Sequence, residues 1–160
     1  LQVKIAGIMS ESDVRKIVAH PLVMIGTDSS SGNPAKDMED AKRYGSLHPR
    51  QYGTHPRVLG KYVREERILT LEQAIMKMTS MPARRCNILD RGRISRGYWA
   101  DIVIFDPNTI RDTATVENPA SLPEGIGYVV VNGKVSVENG VLTGEKGGKV
   151  LLDSHHKMVY

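Results

Sequence analysis

The sequence predicts an α/β protein in two parts, with helices and a strand through about residue 88 and a small all-β module over 89–152. Three observations predict it. A capped amphipathic helix runs directly into a short apolar segment, which is the αβ half of a wound fold. Two more helical patterns follow, each opened by a recognisable start signal. From Asp90 the pattern changes to short β-rich runs punctuated by glycine and proline.

Taken in order, Ser10 with Asp13 forms a capping-box-like start, and Val14, Ile17 and Val18 share one face of a helix ending near Ala19. His20–Asp28 then reads H-P-L-V-M-I-G-T-D. Leu22–Ile25 is too short for a helix and is entered through a proline, as a strand buried on both faces would be. It ends on Asp28, at the position where α/β barrels and open sheets keep their chemistry. The competing reading is a loop aspartate that caps a turn with the serines after it. Only one αβ unit is present, so a closed barrel would need strands that this chain does not supply.

Thr27–Gly53 reads as one long polar loop lying over whatever Asp28 faces. It closes on H-P-R-Q-Y-G-T-H-P-R, residues 48–57, where Pro56 suits the first turn of a helix with Val58, Leu59, Tyr62 and Val63 on its apolar face. Thr70 and Gln73 form a second capping box, followed by Leu71, Ala74, Ile75 and Met78 at helical spacing. A short helix is expected from Pro82 to just before Asn87. In the second half, strands are predicted at Asp101–Phe105, Tyr128–Val131, Lys134–Val137 and Lys149–Leu152. Asn132-Gly133 supplies the positive φ angles of a two-residue hairpin. Four strands are few for an independent sandwich, so partner strands are expected elsewhere in a longer protein.

The composition excludes several classes. With 40% hydrophobic and 25% charged residues the 160-residue chain is globular, one domain or a piece of something larger. It opens on Leu1, as if partway through a unit. The lone Cys86 rules out an internal disulfide, points to a reducing cytoplasm, and reads as a buried small hydrophobe. The net charge of +4 is spread among 18 acidic residues without a basic stripe or interleaved aromatics, which argues against nucleic acid. No apolar run is long enough to span a bilayer. His48 and His55 each precede a proline and read as loop-shaping residues rather than metal ligands. His20 reads as a strand-entry residue, and His155 and His156 as a tail capable at most of adventitious metal binding.

Several stretches together resemble a known family: M-S-E-S-D-V-R-K-I-V-A-H-P-L-V-M-I-G-T-D, then H-P-R-Q-Y-G-T-H-P-R-V-L-G-K-Y-V-R-E, L-E-Q-A-I-M-K-M-T-S-M-P-A-R-R, G-Y-W-A-D-I-V-I-F-D-P and V-V-V-N-G-K-V. They resemble the C-terminal part of the N-acyl-D-amino-acid deacylases, the D-aminoacylase branch of the metal-dependent amidohydrolase superfamily. The resemblance implies the C-terminal part of a (β/α)8 TIM-type barrel over 1–88, contributing the last helix and strand plus trailing helices. The C-terminal strands of a β-sandwich would follow over 89–152, then a tail over 153–160, the whole incomplete on its own.

It further implies a Zn²⁺ cofactor whose His and Cys ligands lie in a missing N-terminal part. Asp28 matches the aspartate that serves as general base and acid beside the metal and as a metal ligand. Arg50 matches the arginine that grips the substrate carboxylate with a guanidinium fork. The implied substrate is a small N-acyl-D-amino acid, and the implied partner is the missing barrel segment or another copy of this chain. The isolated chain is expected to be inactive. The alternatives are a non-catalytic association module or relic, and a hydantoinase-like cyclic-amide hydrolase. Two departures stand out: Ser29 replaces the glycine usual after the aspartate, and the Asp28–His48 loop is longer than in the shortest members.

Overall fold

The computed structural model describes residues 9–29, 32–44 and 47–151. Among the described residues, six stretches of helix precede a four-stranded antiparallel sheet. Helix α1 (Glu11–Ala19) begins as expected, because the Ser10 hydroxyl accepts from the Asp13 amide and two acids occupy the first turn. It stops at His20, whose extended backbone turns the chain into the Pro21 segment.

Residues 22–25 are not the buried strand that their composition suggests. They belong to no strand among the described residues, and Leu22 is 80% exposed. A strand is defined by neighbours, and none among the described residues lies alongside this segment. Two of its backbone groups are satisfied by α4 (Leu71–Met78) instead. The Ile25 amide donates to the Lys77 carbonyl at 3.1 Å, and the Lys77 ammonium donates to the Val23 carbonyl at 2.8 Å and to the His20 carbonyl.

The long loop is also not a loop throughout. Helix α2 (Pro34–Tyr44) forms inside it, started by the Asn33 side chain, which accepts from the amides of Ala35 and Lys36. Helix α3 (Arg50–Arg57) then begins six residues before Pro56, with Pro49 at its cap, so Pro56 is interior rather than in the first turn. A proline there has no amide to give to the preceding turn. The chain continues immediately as a π-helix over Val58–Glu65, ending with the Glu66 amide on the Lys61 carbonyl. Helix α4 carries both halves of its capping box, Thr70 with Gln73. Helix α5 (Ser80–Arg85) starts two residues ahead of Pro82. Because α5 buries no side chain, Cys86 at its C-terminal cap is exposed, not part of a core.

The sheet is a meander of β1 (Ile102–Phe105), β2 (Ile126–Val131), β3 (Lys134–Glu138) and β4 (Val141–Leu142). The Asn132-Gly133 hairpin is present, with both residues at positive φ. A second Asn-Gly pair, 139–140, has the same backbone and creates β4. The strand expected at 149–152 is therefore absent over 149–151, and Leu152, like His155 and His156, lies outside the described residues. Trp99 donates to Asp90 and has the cations of Arg91 and Lys149 over its ring at 5.2 and 4.3 Å, while Arg91 bonds Asp101 and Asn132.

One apolar cluster joins the two halves. Val18, Val58, Leu59, Tyr62 and Ala74 from the helices and Leu69 from the bend before α4 pack with Ile110, and Phe105 and Ile126 of the sheet pack against them. Polar ties reinforce it. Arg15 engages Glu66 through two bonds of 2.7 and 3.0 Å, while Glu11 accepts from Lys61 and from the Tyr62 hydroxyl. Hydrogen bonds from Lys61 and Arg15 hold Glu11 and Glu66, respectively, below the ordinary carboxylate range.

Gly125 marks the tightest approach in this joint. Its φ is +84°, and an added Cβ would lie 2.5 Å from the backbone nitrogen and Cα of Ile110, which is itself fully buried. Gly125→Ala is expected to destabilise the chain by about 1–3 kcal/mol, read as a lower urea midpoint. An unchanged midpoint would contradict this account of the joint.

Candidate functional site

The site is assembled from a turn and a helix start. The extended segment ends at Asp28, whose φ of +48° is a left-handed conformation that aspartate tolerates better than most residues. The turn sends the chain away and leaves the carboxylate at the surface, 86% exposed. Arg50 occupies the first turn of α3, held there by the His48 imidazole, whose Nδ1 accepts the Arg50 amide at 3.1 Å. Asp28 Oδ2 and Arg50 Nη1 meet at 3.0 Å across 22 residues of sequence. The two residues singled out from sequence are thus brought together.

An ion pair this exposed contributes little to stability. Its exposure is also what makes it usable, since a dissolved carboxylate can reach the guanidinium and a dissolved molecule can reach Asp28. His48 completes the corner. Burial and the neighbouring Arg50 charge push its pKa down, with Asp28 acting in the opposite sense, so the ring is neutral near pH 7. With Nδ1 accepting from the backbone, the proton of that neutral ring resides on Nε2.

A second set of contacts fixes the turn against its surroundings. The Ser29 hydroxyl donates to Gln51 Oε1 at 3.1 Å, Gln51 Nε2 donates to Asp37 Oδ2 at 2.7 Å, and the Tyr52 hydroxyl donates to the same oxygen at 2.5 Å. Burial, and then the bond to Asp37, push the Tyr52 pKa up to about 12, so the phenol stays protonated and remains a donor. Asp37 thereby docks α2 on the start of α3. Asp37, Gln51 and Tyr52 escaped the sequence reading because 27–53 was read as loop. The signal that could have revealed them is Asn33-Pro34, a helix cap followed by a proline at the first helical position.

Lys77 was missed as well. It follows Ala74 by three positions and so shares the buried face of α4, where it is 2% exposed. His55 lies inside α3, and burial lowers its pKa. No group of three or more His, Cys, Asp or Glu side chains among the described residues could hold a metal. A zinc ion needs about four ligands, and Asp28 offers one carboxylate, so these residues alone do not fit a complete metal centre. No helix among the described residues is long and apolar enough to cross a membrane.

Comparison with known proteins finds relatives much longer than this chain. An N-acyl-D-glutamate deacylase of Alcaligenes xylosoxydans xylosoxydans is 46% identical over 125 residues, covering 78% of this chain but 23% of that protein. A D-aminoacylase of the same organism is 42% identical over 143 residues, 89% of this chain and 27% of the relative. Among solved structures, a D-aminoacylase superposes with a TM-score of 0.77 at 39% identity, over 89% of this chain and 28% of its own. The N-acyl-D-glutamate deacylase of Bordetella bronchiseptica, complexed with zinc and a phosphonate mimic of the tetrahedral intermediate, does so with a TM-score of 0.69 at 42% identity. That match covers 79% of this chain and 24% of the other. The chain therefore spans about a quarter of the length of these relatives. The sequence model of the amidohydrolase family matches residues 4–137, and on that match the chain belongs to the amidohydrolase family.

Proposed function

We propose that this chain is the C-terminal portion of an amidohydrolase that cleaves N-acyl-D-amino acids to a carboxylate and a free D-amino acid. In that reading residues 1–88 close the barrel and 89–152 contribute to a sandwich. The single observation that carries it is the exposed Asp28–Arg50 pair at 3.0 Å, a base and a carboxylate anchor side by side. Arg50 takes the α-carboxylate of the substrate on its fork, which sets the scissile amide near Asp28. Asp28 accepts a proton from the attacking water as oxygen bonds to the acyl carbon. It returns that proton to the nitrogen as the C–N bond breaks. Zinc, when bound by the complete protein, would supply the Lewis acidity, with Asp28 as the ligand this chain contributes and the others coming from outside the described residues.

The sheet supports the reading of an incomplete unit. Val103 and Ile104 are neighbours on β1 and so point to opposite faces, yet they are 53% and 55% exposed. A sheet with apolar side chains open on both sides is built to be covered. The same surface favours a second reading, a non-catalytic association module in which Asp28 is a relic.

Co-expression of the chain with the N-terminal remainder of a D-aminoacylase separates the two readings. The chain alone is expected to release no D-amino acid, and the pair to restore hydrolysis. Asp28→Asn in the restored enzyme should lower kcat by roughly 100-fold or more. Association without restored hydrolysis would favour the module.

Substitution at the anchor distinguishes the substrate class. Arg50→Ala in the restored enzyme should raise KM for an N-acyl-D-amino acid by about 10- to 100-fold, the loss of a charge-assisted pair. Cleavage of a cyclic amide lacking the carboxylate should be unaffected. Equal losses on both substrates would remove Arg50 from the anchoring role.

A further inference from the structure

We propose that Lys77 is a positioning residue for Asp28: it sets the segment that delivers the carboxylate, and through it the Asp28–Arg50 geometry. The proposal deepens the reading given under Proposed function, since the carboxylate it places is the proton carrier assumed there.

The argument starts from cost. A lysine ammonium is strongly hydrated, and burying one is unfavourable unless its donors are taken up. Lys77 is 2% exposed on a helix whose other inward residues are apolar, and burial lowers its pKa. An alanine or methionine would fill that helix face without the penalty. The ammonium is spent on the carbonyls of His20 and Val23, 57 and 54 residues earlier, and the backbone carbonyl of Lys77 takes the amide of Ile25. One residue thus makes three bonds to a stretch of six.

Those bonds fall where the chain most needs them. Residues 20–28 lack strand neighbours among the described residues, so nothing in a sheet ladder fixes how far the segment extends. At one end His20 is fixed as the cap of α1, and at the other Asp28 turns back at positive φ to meet Arg50. The grip of Lys77 between these ends determines the register. Without it the segment is free to slide along α4, and Asp28 leaves the position opposite Arg50.

Nuclear magnetic resonance on the 160-residue chain tests this without substrate. Through-hydrogen-bond couplings from the Lys77 ammonium nitrogen to the carbonyl carbons of His20 and Val23 are expected, and their absence overturns the proposal even if no variant folds. Lys77→Met should speed exchange of the Ile25 amide roughly tenfold or more and remove the side-chain cross-peak between Asp28 and Arg50, while the protection of α1 and α3 persists. Lys77→Arg, which keeps a charged donor, should restore both signals. A folded Lys77→Met that retains the Asp28–Arg50 cross-peak overturns it.

In the restored enzyme Lys77→Met should lower kcat by roughly 10- to 100-fold with KM nearly unchanged, since Arg50 still anchors the substrate. An unaltered kcat reduces Lys77 to a structural residue and overturns the proposal. Failure of the wild-type chain to restore hydrolysis sinks the deacylase reading instead, and the couplings still decide whether Lys77 places Asp28.

Discussion

A backbone that leaves one helix and runs extended, with no strand alongside among the described residues, needs hydrogen-bond partners from outside a sheet, and a buried ammonium needs acceptors for its protons. In this chain the requirement falls on His20–Ile25 and is met from α4, through the side chain and carbonyl of Lys77. Much else follows from that contact. It ties α4 to the segment that follows α1, whose Val18 shares the cluster of Tyr62, Leu69 and Ala74, and leaves the end of the segment, Asp28, beside the first turn of α3.

The chemistry and the packing therefore occupy different layers. The interior layer is apolar and ties the helices to Ile110, with Arg64 donating to the Ile110 carbonyl and Arg57 paired to Asp112. The outer layer is polar and turns on two side chains that stay wet. This chain of the amidohydrolase family spans about a quarter of the length of its relatives, and within that span the Asp28–Arg50 pair lies outside the apolar cluster.

Legibility from sequence followed how local each signal is. The caps at Ser10 and Thr70 and the turn at Asn132-Gly133 were readable because each is decided within four residues. The turn at 139–140 carried the same signal and was passed over, which misplaced the last strand. Residues 22–25 were misread because their apolar composition describes the surroundings they suit, and no strand among the described residues provides them. Pro56 misled because proline at a first turn is the usual case, whereas here the helix had started at Arg50 and absorbed the break by widening. Asp28 and Arg50 were singled out through family resemblance and the structure pairs them, but Lys77 was not noticed, since a buried cation on an apolar face contradicts the pattern that locates cores.

The meander and the site differ in how far apart along the chain their contacts lie. β2, β3 and β4 are joined by two-residue turns, so their pairing closes short loops and can proceed on the scale of microseconds. The grip of Lys77 on His20 spans 57 residues, and its entropy of closure must be met before that contact returns anything. Loop closure therefore costs the hairpins less entropy than the corner holding Asp28 and Arg50, whose ties reach across 22 and 57 residues.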